Sequence, residues 1–61
     1  MASTAAIKEA VSEKLRKADS PLKLAVLKRE LERVIIFRRT FGGIEEATAR
    51  AMLEAVKEFK A

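Results

Sequence analysis

At 61 residues, with no cysteine and no histidine, the chain has room for one small domain. It has no means of disulfide stapling, thiolate chemistry, histidine-based acid–base catalysis or the commonest zinc sites. Hydrophobic residues make up 49% and charged residues 36%, which is too apolar for a disordered chain and rich in helix formers.

Asn, Gln, Trp and Tyr are missing as well. Loss of Asn, Gln and Cys alongside abundant Lys, Arg and Glu is a thermophile tendency. The same profile suits a designed helical scaffold chosen for helix propensity. Gly42-Gly43, the scattered threonines and the β-branched run Val34-Ile35-Ile36 are not idealised, and they favour a natural thermostable protein. A folded chain this short buries only about 60% of its unfolded surface, so its core is marginal unless something else covers it.

The first helix is predicted over about residues 4–18. Ser3 or Thr4 is placed to cap its free N–H groups. Ile7, Val11, Leu15 and Ala18 fall on one face at helical spacing, with Ala10 beside them and Lys14 snorkelling from within the stripe. This face is thin, and the helix needs a surface to lie on.

Asp19-Ser20-Pro21 is the clearest break. Ser20 suits an N-cap and Pro21 the first helical position, where its missing N–H costs nothing. The short connection predicts that the first two helices run roughly antiparallel. The second helix is predicted over about 21–40. Its residues Leu24, Leu27, Leu31, Val34 and Ile35 form one apolar arc. A second set, Leu22, Val26, Ile36 and Phe37, lies on the opposite side with Arg29 and Arg33 between its ends. A helix that is apolar on both sides is expected to be covered on both sides. Val34 to Phe37 also fits a buried strand, but the upstream period is helical and no second strand is available to pair with it.

Gly42-Gly43 ends this helix, with Arg38 and Arg39 in its last turn where cations suit the negative helix end. A third helix is predicted over about 44–59. Ile44, Ala47, Ala51, Ala55 and Phe59 make up its inner face, flanked by Met52 and Val56, with Leu53 on the far side. The alanines four residues apart allow a neighbouring helix to come close. The fold expected is all-α, a single three-helix domain over 1–61 in which a long central second helix supports the other two and pairs with a second copy in a helical-bundle dimer.

Chemistry-bearing patterns are sparse. Glu45 with Glu46, and Glu30 with Glu32, do not share helical faces; Glu9 with Glu13, and Glu54 with Glu58, do, on faces that read as solvated. Ser12 and Ser20 have no base partner. The glycine pair lacks the Lys-Ser/Thr that completes a phosphate loop. No enzymatic activity, cofactor, metal or small-molecule substrate is expected.

Charge is uneven. Six of the 13 basic residues, Lys23, Lys28, Arg29, Arg33, Arg38 and Arg39, fall within the second helix, and Phe37-Arg38-Arg39-Thr40-Phe41 mixes aromatic and cationic groups as single-strand binders do. One reading therefore has Lys28, Arg29, Arg33, Arg38 and Arg39 touching nucleic-acid phosphates. Against it, these residues are scattered around the helix, and a helix-turn-helix arrangement would present Glu45-Glu46 to DNA with Arg50 as the only base reader. The reading that uses most residues is self-association, with Leu22, Val26, Arg29, Arg33, Ile36 and Phe37 as the interface of a homo-oligomer, a two-fold dimer foremost. No apolar run approaches the ~18 residues of a membrane span, and the first residues lack the pattern of a signal peptide, so a cytoplasmic protein is expected.

Overall fold

The computed structural model describes residues 3–60; residues 1, 2 and 61 of the expected domain lie outside the described part. It is a three-helix all-α unit, 79% helical, with no strand among the described residues. The helices are α1 (Thr4–Arg16), α2 (Pro21–Thr40) and α3 (Glu46–Glu58). Val34 to Phe37 is helical, so its β-branched residues are carried by the apolar period of the helix around them.

Local chemistry explains where each helix begins and ends. The Ser3 hydroxyl accepts the Ala6 N–H at 3.1 Å, and the Ser20 hydroxyl accepts the Lys23 N–H at 3.1 Å with Pro21 next in line. These two serines satisfy N–H groups that no carbonyl of their helices can reach. α1 stops at Arg16, short of the expected Ala18, because the N–H groups of Lys17 and Ala18 bond three residues back, to Lys14 and Leu15. Such bonds tighten the last turn and close the helix. At the end of α2, the Gly43 N–H reaches the Arg38 carbonyl at 2.7 Å and the Gly42 N–H reaches that of Arg39 at 3.4 Å. This is the Schellman pattern, and Gly42 supplies the required positive φ of 78°. α3 begins two residues later than expected. Ile44 is a half-buried residue just ahead of the N-cap Glu45, and it packs on the cluster that contains Ala49. That is the position from which an apolar residue staples the chain's entry into a helix.

The second helix is the longest, but α3 holds the middle of the packing. α1 and α2 both lie along α3 and meet each other only briefly. The helical angles account for this. Buried residues on α3 span roughly 160° of its circumference, from Ala51 and Ala55 on one side to Ala49 and Val56 on the other. Lys8 of α1 reaches Glu54 and Glu58 at 3.5 and 3.1 Å, which puts α1 on the side of Ala51 and Ala55. The opposite edge, with Ala49, Leu53 and Val56, is left to α2. The expected single inner face of α3 is corrected in three places by this two-sided burial: Ala47 is exposed, Ala49 is fully buried, and Leu53 packs against the core. Small side chains are what allow two helices to approach the third.

The core joins Val11 and Leu15 of α1, Ile35 of α2, and Ala49, Ala55 and Val56 of α3, with Leu24, Leu27, Leu31 and Met52 packed around them. Among the described residues, only Leu15 and Val56 are large side chains completely shielded from solvent. Val34, expected in the core arc, is 46% exposed. It lies at the edge of the arc, some 60° beyond Leu31 in helical angle, where α3 no longer covers it.

Candidate interaction surface on the second helix

The core side of α2 is set by Leu24, Leu27, Leu31 and Ile35, so the side turned away is fixed by the helical repeat. Leu22, Val26, Arg29, Arg33, Ile36 and Phe37 all lie there, and all are exposed. The structure thus brings the six residues of the expected interface onto one continuous face. Leu22 is 76% exposed and Phe37 62%. Phe41, just past the end of the helix, adds to the face at 74%. The sequence pattern groups Phe41 with the basic residues near the helix end; its spacing of four from Phe37 is the signal that joins it to this face.

Phe37 and Phe41 form a unit. Their ring centroids are 4.6 Å apart and tilted by 40°, within the range of favourable aromatic pairs. At the other end of the same face is a shallow groove of about 400 Å³, with Ala18, Leu22, Val26, Leu27 and Glu30 among its walls. One end of α2 therefore projects an aromatic knob, and the other end offers an apolar hollow.

The basic residues do not gather into one patch. Lys28 is half-buried on the core side, and its ammonium donates to the Phe59 carbonyl at 2.7 Å. Arg38 lies along the opening of Gly43, whose Cα faces the Arg38 side chain, and it borders a pocket with Val34, Ile44 and Met52. Arg39 lies about 100° around the helix from Arg38 and about three turns along it from Lys28, while Arg29 and Arg33 sit within the outer face one turn apart. Among the described residues, ion pairs join Lys8 to Glu54 and Glu58, Arg16 to Glu9, Lys23 to Asp19 and Arg50 to Glu46; none includes Arg29 or Arg33.

A cleft of about 680 Å³ lies where the α1–α2 connection meets the end of α3, with Ser12, Arg16, Asp19, Ser20 and Glu58 on its walls. Its polar groups are largely occupied by structure: Ser20 caps α2, Asp19 pairs with Lys23 at 3.0 Å, and Arg16 pairs with Glu9 at 2.9 Å. Hydrogen bonding to Glu9, and its charge, push the Arg16 guanidinium further up from its ordinary value, which keeps it a fixed cation. No group of three metal-ligating side chains occurs among the described residues, and no helix is long and apolar enough to cross a membrane. No protein-family model, curated protein or solved structure matches the chain.

Proposed function

We propose that this protein is a small, non-catalytic helical assembly module that associates with a second copy of itself through the outer face of α2. The observation that carries this reading is the exposure of Leu22, Val26, Ile36, Phe37 and Phe41 on one side of a helix whose other side already faces the core. Contiguous apolar patches of this kind mark interaction sites. Arginine and aromatic residues, which this face combines, are both enriched at interfaces.

Surface area supports the same reading. The chain exposes 4747 Å², whereas a folded monomer of 6.8 kDa is expected to expose about 3950 Å². The excess is close to the roughly 800 Å² that each partner contributes to a standard interface. The basic residues fit this reading as helix-end cations, as the Lys28 tie to α3 and as interface anchors.

Light scattering during size exclusion tests the proposal. A mass of twice 6.8 kDa at micromolar concentration is the expected result, and a monomer mass overturns it. Val26→Glu should convert the dimer to a monomer that keeps its helical circular dichroism, since Val26 makes no part of the core. Titration with DNA and RNA at low salt separates the nucleic-acid reading: binding that weakens linearly with log salt would move the function to phosphate contacts.

A further inference from the structure

The outer face of α2 carries a symmetric spacing of residues. Six of its residues are spaced four, four, three, four and four apart: Leu22, Val26, Glu30, Arg33, Phe37 and Phe41. This spacing reads the same in both directions, with its midpoint between Leu31 and Glu32. The two halves differ in chemistry. The first half, Leu22, Val26 and Glu30, walls the groove; the second half, Arg33, Phe37 and Phe41, carries a cation and the stacked aromatic pair.

Resting on the self-association proposed above, we infer that the two copies pair with their α2 helices antiparallel, about a two-fold axis at the level of residues 31 and 32. Each aromatic knob then seats in the groove of the other copy. In this register Phe41 meets the partner's Leu22, Phe37 meets the partner's Val26, and Arg33 meets the partner's Glu30, each contact occurring twice by symmetry. An isologous interface requires a surface that is complementary to itself under the two-fold, and each of these three pairings is complementary in shape or charge.

A parallel arrangement fails on the same residues. It sets knob against knob and groove against groove, leaves the hollow at Leu22 and Val26 unfilled, and places Arg33 opposite Arg33 and Glu30 opposite Glu30. Like charges juxtaposed at an interface are strongly disfavoured. The antiparallel register also gives Arg33 an acidic partner, and flanks it with apolar groups that exclude water.

The orientation is read by distance. Spin labels on Ala25→Cys and, separately, on Arg38→Cys sit at exposed positions away from the six-residue row in a chain that has no other cysteine. At 1.5 Å per residue and a helix separation of 8–10 Å, antiparallel pairing puts equivalent labelled backbones roughly 21 Å apart in both variants. Parallel pairing puts them about 10 Å apart, and that result overturns the inference. A dimer mass with no dipolar coupling near either distance also overturns it, because the interface would then lie elsewhere. A monomer mass would instead defeat the self-association reading itself.

Charge exchange gives an independent readout. Arg33→Glu and Glu30→Arg should each weaken association by roughly tenfold or more, and the double variant should recover most of the loss. Single variants without effect, or a double variant no tighter than the singles, would overturn the Arg33–Glu30 contact and with it the register.

Discussion

The Lys28 ammonium donates a hydrogen bond of 2.7 Å to the Phe59 carbonyl, tying the middle of α2 to the C-terminal end of α3. The residue is half-buried, so the bond is partly shielded from water. The carbonyl belongs to the residue that ends α3, where a cation also suits the negative helix end.

Lys28→Met keeps the apolar stem and removes the donor. It should lower stability by about 1–2 kcal/mol, in the range for hydrogen bonds that involve a charged group. Urea unfolding should show a lower midpoint with an unchanged slope. An unchanged midpoint would mean that the bond contributes nothing net.

The two glycines should respond differently to alanine. Gly42 has a φ of 78°, where a Cβ is strained whatever space surrounds it, so Gly42→Ala should cost about 1 kcal/mol. At Gly43 an added Cβ would come no closer than 3.5 Å to the Arg38 side chain and carbonyl, an ordinary contact. Gly43→Ala should therefore be close to neutral, and comparison of the two melting temperatures checks the contrast.

Leu15 is completely shielded and joins α1 to the shared core. Leu15→Ala should cost about 2–5 kcal/mol through lost burial and the cavity left behind. In a domain this small such a loss removes most of the folded population at room temperature, which circular dichroism at 222 nm would register. Ala47→Ser, at an exposed position of α3, should change stability by no more than a few tenths of a kcal/mol.

Stability should also depend on pH at the alkaline end. The hydrogen bond from Lys8 to Glu58 raises the ammonium above its ordinary value of 10.5, aided by the charges of Glu58 and Glu54 and opposed by partial desolvation. A lysine raised in the folded state contributes stability that is fully present below its ordinary value and is lost as pH rises through the folded one. The stability difference between the parent and Lys8→Met should therefore be constant from pH 6 to 9 and shrink above about 10.5. A difference that persists undiminished at pH 12 would assign the effect of Lys8 to its apolar stem.

Much of the local structure was legible in the sequence because it rests on short-range chemistry. Ser3, Ser20-Pro21 and Gly42-Gly43 are punctuation that works through bonds spanning a few residues, and the structure places helix ends at each of them. The two faces of α2 follow from the helical repeat and the pattern of its apolar residues. Exposure of the second face was not legible, since periodicity shows that a face is apolar without showing what lies against it.

The sequence by itself determined an all-α chain of three helices, the residues that share each face, and the absence of histidine and cysteine chemistry. These follow from composition and from a repeat of 3.6 residues. Only the tertiary structure decided that α3, with its small residues Ala49, Ala51 and Ala55, is the helix both others pack on. The reason is geometric: close approach depends on which small side chains meet, and that depends on residues distant in sequence. The tertiary structure also decided that the knob of Phe37 and Phe41 and the groove at Leu22 and Val26 stand at opposite ends of one uncovered face. One wall of the groove is formed by Lys17 and Ala18, from the chain leaving α1.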